Sequence, residues 1–252
     1  MNVITVGSDE RLAYAAELLR EACCPSCTAV HLLPIPTSRD GEHISGTDIL
    51  LKDHLSGLCG GEVLVCYGLC TEILSPLSDR SVIALDLSRD EEYIAEGAYL
   101  TALGTVEYIL SGSARALSDM RIGVVGVGRI GACLSRMLLA LGGEAVLFSG
   151  RACETLRSKG AHVLSYGALA SGEFPPLDIL INTAPSPILT APLPAPLADA
   201  KIIELASGEN IPKEIPHESL PQLPARAFPE SAGRAVAKAV LRGLGICLAS
   251  KA

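Results

Sequence analysis

The chain opens on a short apolar run, Val3 to Ser8, that breaks at Gly7 and gives way to an amphipathic stretch from Asp9 to Glu21. Ala29 to Leu33 is apolar again and is cut by Pro34 and Pro36, after which polar Thr37 to Thr47 reads as a loop. Helical spacing over Asp48 to Leu58 leads into two further apolar runs, Glu62 to Tyr67 and Ser81 to Leu87. Short apolar runs bounded by turn residues fit strands buried on both faces, and the amphipathic stretches between them predict helices. This alternation is that of βαβ units, so it predicts a parallel sheet with right-handed crossovers.

From Tyr93 to Leu110 apolar residues recur at helical spacing, interrupted by Gly97 and Gly104. A second βαβ series follows: strand Ile122 to Val125, helix Ile130 to Leu141, and strands Ala145 to Phe148, Asp178 to Asn182 and Lys201 to Leu205. Pro-rich loops, 185–196 and 212–229, separate the later elements, and Ser231 to Ala249 is helical once more. The pattern therefore predicts an α/β protein of two domains with parallel sheets, the second marked as a Rossmann dinucleotide-binding fold by the string Gly126-Val127-Gly128-Arg129-Ile130-Gly131 between its first strand and helix. Its parts are a flavodoxin-like domain over 1–96, a linker helix over 97–118 and the Rossmann domain over 119–230. The last helix, 231–252, is expected to pack back on the first domain.

Composition narrows the partners. Charged residues are 19% against 49% hydrophobic, the net charge is −8, and no run of Lys or Arg is present. A nucleic-acid or anionic-membrane partner needs a basic face, so neither is expected. No basic segment precedes an apolar one at the start, and no apolar run reaches membrane-spanning length, which predicts a soluble, cytoplasmic protein. The nine cysteines read as reduced thiols. Cys24-Pro25-Ser26-Cys27 has the spacing of half a zinc knuckle or a redox pair, but no matching second half exists, and no metal is expected.

The most informative string is Gly126-Val127-Gly128-Arg129-Ile130-Gly131, which follows the strand RIGVV and opens an apolar helix. In that context Gly126 permits a tight turn, Gly128 admits a pyrophosphate to the backbone, and Gly131 lets helix and strand pack closely. The first-turn N–H groups, at Arg129, Ile130 and Gly131, face the anion. At the end of the next strand, where NAD-binding chains carry an acid for the ribose 2′-OH, the sequence reads Phe148-Ser149-Gly150-Arg151. A 2′-phosphate would meet no repelling carboxylate there. Ser149 can hydrogen-bond it and Arg151 can pair with it, so NADP is the expected cofactor.

Two later strand ends point to the same crevice. Asn182, Thr183 and Pro185 could frame the nicotinamide side, and Ser207 follows the strand ending ELA; each also reads as a capped turn. In the first domain Asp9 is placed to cap a helix. Arg11, a cation in the first turn, opposes the helix dipole, so an anionic substrate near it is the functional reading. The five histidines form no pair at metal spacing, and the sequence assigns no catalytic acid or base.

With those residues in view, the chain resembles the A subunit of dipicolinate synthase, a sporulation enzyme. The likeness rests on the opening GSDER, on Gly104-Thr105-Val106-Glu107, and on VVGVGRIG with the Ser-Gly-Arg beyond it. It continues through DILINTAPSPIL, the strand ELAS and Pro229-Glu230-Ser231-Ala232-Gly233. The resemblance implies NADP-linked oxidation of a dihydrodipicolinate-type heterocycle, a small dicarboxylate, to dipicolinate. It also implies a flavoprotein partner, the B subunit, together with a mother-cell cytoplasmic location; a homo-oligomer is left open by the sequence itself. The chain departs from the family pattern at Thr101-Ala102-Leu103-Gly104, at Gly208-Glu209-Asn210 and at Ala225, and its first domain is short. These departures fall around the expected substrate side, while the nucleotide motifs are intact. Two other readings stand beside this one: a different NADP-dependent dehydrogenase of a small carboxylic acid, and a nucleotide-binding regulatory protein without chemistry of its own.

Overall fold

A computed structural model of the chain describes residues 1–22, 27–151 and 153–245. Cys24, Pro25 and Ser26 of the CxxC string and Cys247 therefore lie outside the described residues, as does the end of the C-terminal segment, whereas Cys27 is described and carries a reduced thiol. The chain divides into two compact units, one of 1–97 with 224–252 and one of 98–223.

The first unit contains β1 (Val3–Thr5), α1 (Glu10–Glu21), β2 (Val30–Leu32), α2 (Leu51–Gly57), β3 (Val63–Cys66), α3 (Thr71–Asp79) and β4 (Ile83–Asp86). The strands form a parallel sheet in the order β1-β2-β3-β4. This differs from the flavodoxin-like order, in which the first strand lies between the second and third. Burial explains the arrangement: Val30 and Leu32 are fully buried, whereas Ile4 and Thr5 are exposed, as befits an edge strand. Side chains of α1 share a core with Val30, Leu32, Val63 and Val65, while α2 and α3 share the opposite core with Leu64 and Cys66. Because the strand order runs in one direction, helices on opposite faces require crossovers of opposite hand. The expectation of uniformly right-handed crossovers therefore fails in this unit.

The helix that follows, α4, spans Glu91–Ser111. It starts earlier than the expected linker helix over 97–118 because Asp90 accepts the N–H of Tyr93 at 2.8 Å and of Ile94 through its backbone. It ends at Gly112-Ser113, well before 118. The first unit ends within it.

The second unit holds β5 (Arg121–Val125), α5 (Arg129–Ala140), β6 (Glu144–Phe148), α6 (Glu154–Arg157), β7 (His162–Leu164), α7 (Tyr166–Ser171), β8 (Ile179–Asn182), β9 (Lys201–Glu204) and β10 (Glu218–Ser219). All pairings are parallel, in the order β10-β9-β8-β5-β6-β7. Counted from β5, that is the 3-2-1-4-5-6 order of a Rossmann fold, with its switch point between β5 and β8. Ile122, Val124, Ile181 and Ile203 pack on one face, with Ala102, Val106 and Leu134; Val125, Val146, Phe148 and Leu180 pack on the other.

The chain re-enters the first unit within α8 (Leu223–Ala227) and ends its described part in α9 (Pro229–Gly243). The boundary thus falls at 223/224 rather than 230. Ala235, Val236, Ala239 and Val240 join the core formed by α1 and the first sheet. At the crossing, a Cβ on Gly233 would stand 2.5 Å from the Arg11 carbonyl oxygen, so only glycine lets the two helices approach this closely. Among the described residues no helix is long and apolar enough to cross a membrane.

Candidate functional site

Ligands of open α/β sheets bind beyond the carboxyl ends of the strands at the switch point. In the second unit that point is the gap between Val125 and Asn182, which are register partners. Gly126 turns the chain there with φ +87°, and its imagined Cβ would meet Ala184 Cβ and Thr183 Oγ1 at 3.1 Å. Gly131, one turn into α5, would place a Cβ 2.1 Å from the Gly126 carbonyl oxygen and 2.8 Å from Thr183 Oγ1. Any side chain at Gly131 would therefore push the helix off the turn. The Thr183 hydroxyl braces the arrangement by donating toward Val125 O at 2.9 Å and Gly126 O at 3.1 Å.

Gly128 differs from the other two. It is exposed, it caps α5 in extended conformation, and a Cβ there would meet nothing within 4 Å. No side chain caps α5, and no acidic residue lies in its first turn. Open space, an uncapped N-terminus and a positive dipole end are the features that anion-binding helix starts share.

At the end of β6, Ser149 Oγ accepts the backbone N–H of Arg151 at 3.1 Å and faces the Cys153 thiol at 3.7 Å. The hydroxyl thus shapes a short turn that carries Gly150, packed 3.4 Å from the Tyr166 ring by its imagined Cβ, and exposed Arg151. Among the described residues Arg151 has no ion-pair partner, and no carboxylate stands at this strand end.

Asn182 does not present its amide to a ligand. It is 1% exposed, its Nδ2 donates to Ala184 O and Glu204, and its Oδ1 accepts the Ala184 N–H. The expectation that this amide frames a nicotinamide is thereby corrected: every polar atom of the side chain is spent inside the protein. Thr183 and exposed Pro185 continue the loop that Asn182 fixes. The sequence points to the strand end Glu204-Leu205-Ala206-Ser207 but gives Glu204 no role, although a carboxylate directly after the apolar pair Ile202-Ile203 is a usable signal. Glu204 is 4% exposed, and burial raises its carboxyl above the usual range against hydrogen bonds from Asn182 and Ala206.

The substrate candidates divide between the units, Asp9 and Arg11 in the first and Ser207 in the second. Asp9 caps α1 by accepting the Arg11 backbone N–H at 3.2 Å. It also accepts Arg11 Nε at 3.0 Å and Nη2 at 2.7 Å, and Nη2 donates further to Ile35 O at 2.8 Å. Arg11, 5% exposed, is therefore already paired with a carboxylate, which explains how a cation is tolerated in a first helical turn. These bonds use Nε and Nη2. Ser207 is exposed, and its carbonyl accepts Asn210 Nδ2 at 3.0 Å. Among the described residues no group of three or more His, Cys, Asp and Glu side chains could hold a metal ion.

No family model and no curated protein matches the sequence. Solved structures do match. The A subunit of dipicolinate synthase from Bacillus halodurans aligns over 98% of both chains with TM-score 0.78 at 18% identity. The A chain of dipicolinate synthase from Bacillus subtilis aligns over 97% of this chain and 96% of that one, with TM-score 0.75 at 19% identity. A transhydrogenase from Sinorhizobium meliloti aligns over 96% and 93%, with TM-score 0.60 at 18% identity. At such identities the likeness is one of fold: this chain has the α/β architecture with a Rossmann unit found in those proteins.

Proposed function

We propose that this chain is an NADP-dependent oxidoreductase of a small carboxylate, of the type of the dipicolinate synthase A chain. The reading is carried by one observation: an uncapped helix meets an open glycine turn at the sheet's switch point, and the adjacent strand end offers Ser149 and Arg151 where an acid would select NAD. Gly126, Gly128 and the first turn of α5 (Arg129, Ile130, Gly131) would hold the pyrophosphate, and Ser149, Gly150 and Arg151 the 2′-phosphate. When bound, the dinucleotide supplies the hydride acceptor or donor. The chain's own residues supply position: Thr183 braces the turn, and the Asn182 loop, reaching Pro185, borders the crevice beyond the ends of β5 and β8. The substrate class is a cyclic dicarboxylate of dihydrodipicolinate type, and exposed Ser207 of the second unit is the contact proposed for it. A separate flavoprotein partner belongs to the same proposal.

Titration of the purified chain with NADPH and NADH, followed by nicotinamide fluorescence, tests it. NADPH should bind at least about tenfold more tightly, the worth of one charge-assisted phosphate contact. Arg151→Ala should abolish that preference while leaving NADH unchanged. Equal affinities in the unaltered chain would remove the NADP assignment; no binding of either would remove the dinucleotide site itself.

A further inference from the structure

The strands β8 and β9 end side by side on a buried polar pair. Asn182 and Glu204 are register partners, 1% and 4% exposed, at the ends of the apolar runs Ile179–Ile181 and Ile202–Ile203. Glu204 Oε1 accepts the Ala206 N–H at 2.9 Å and Asn182 Nδ2 at 3.0 Å, and Oε2 accepts the same Nδ2 at 3.2 Å. Asn182 passes this order onward through paired bonds to Ala184, Nδ2 to O and N–H to Oδ1, both 3.2 Å. Ala184 and Thr183 are in turn the residues against which Gly126 and Gly131 pack.

We infer that Glu204 is a positioning residue for the dinucleotide turn, its carboxylate orienting Asn182 so that the Thr183–Ala184 segment holds Gly126 in place. The functional consequence rests on the dinucleotide reading; the clamp itself does not. The chemistry requires an acid at this position. A carboxamide has a donor end and an acceptor end, and only an acceptor-only partner dictates which end faces it. The carboxylate draws Nδ2 toward β9 and so leaves Oδ1 for the Ala184 N–H. A glutamine at 204 would set one amine against the other, or would turn Asn182 over and break both bonds to Ala184.

Protonation of Oε2 acts in the same direction as that substitution, since this oxygen, 3.2 Å from Nδ2, then carries a hydrogen and is no longer a pure acceptor. The groups facing the carboxylate are Asn182 on β8, the Ala206 N–H beyond β9, and His217 ahead of β10, whose Nδ1 lies 2.8 Å from Ile215 O. Burial raises this carboxyl, which moves its titration upward from the usual carboxyl range.

The test uses the full chain and Glu204→Gln. NADH is the probe, because it lacks the 2′-phosphate that would titrate near pH 6. In the unaltered chain NADH affinity should fall about tenfold as pH is lowered from 8 through the titration of Glu204, the loss of one buried hydrogen bond. In Glu204→Gln it should be weaker at pH 8 and flat with pH. Hydrogen exchange of the ligand-free proteins at one pH supplies a second readout. Peptides covering 125–131 and 182–185 should exchange faster in the variant, with those of β6 and α7 unchanged. Equal exchange in those peptides would overturn the clamp, as would a variant whose binding keeps the parent's pH profile. If neither nucleotide binds yet the exchange responds, the clamp stands and the dinucleotide reading falls instead.

Discussion

The two sheets begin in the same way and then part company. Each has a first strand ending at a glycine of positive φ, Gly7 at +80° and Gly126 at +87°, and each then enters a twelve-residue helix. In the first unit the cap position holds Asp9, whose carboxylate bonds the helix start, the Arg11 guanidinium and the Ile35 N–H. In the second it holds Gly128, which offers nothing. One helix start is closed by its own chain, and the other is left without a side-chain cap. A βα turn becomes a binding site through what its cap residue withholds, and the fold alone does not decide it.

Four changes would break or sharpen this contrast. The largest effect is expected from Gly131→Val, because even the first added carbon falls within 2.1 Å of a backbone oxygen. The second unit should lose about 4 kcal/mol, and nucleotide binding with it, as read by denaturant unfolding and titration. Asp9→Ala strikes the closed turn. It removes the cap and strands Arg11, 5% exposed, without its carboxylate, for a loss of about 3 kcal/mol that Asp9→Asn should halve. Gly128→Asp would convert the open turn into the closed kind. The added carbon meets nothing, so α5 should gain about 0.5 to 1 kcal/mol while NADPH affinity drops by more than about tenfold.

The smallest effect concerns pH. In the first unit burial opposes, but bonds from Arg242 and Tyr93 hold, the Asp90 carboxyl below its usual value. The native state there binds fewer protons, so this stabilisation is present above the ordinary carboxyl range and is lost as pH falls through the lowered value. Glu204 in the second unit runs the other way. Between the ordinary and the raised value the native state holds a proton that the unfolded state has released, so stability declines as pH rises through that window. Glu204→Gln should flatten the decline, and exchange-monitored unfolding of each unit from about pH 2 to 8 would separate the two slopes.

How much of this can be read from the residues depends on distance along the chain. The glycine turn is local: Gly126 makes the tight turn and Gly131 the close helix packing that their spacing predicts, and the space beside Gly128 is open. The strands of VITVGS, EVLVCY, RIGVV and DILIN are legible because each is a bounded apolar run. Helix α3 escapes such a reading because Pro76 sits inside it and resembles a breaker. The strands β7 and β10, three and two residues long, are too short and too exposed to leave a pattern. Arg11 looks like an unpaired cation because residues two apart do not face each other on a helix. Its carboxylate partner precedes the helix, where that rule lapses. The Asn182–Glu204 pair needs the register of β8 on β9, which no single segment encodes.

The close crossing of α9 on α1 at Gly233 also sets an order of assembly. The apolar flank of α1, with Leu12, Ala15 and Leu19, belongs to a core completed by Ala235, Val236 and Val240. Residues 98–223 are translated between those two halves. On the ribosome the early helix must wait, its flank uncovered, while the whole intervening Rossmann unit emerges and folds. The piece made first is the piece finished last, and chaperone binding to nascent chains should centre on residues 10–21 until α9 leaves the exit tunnel.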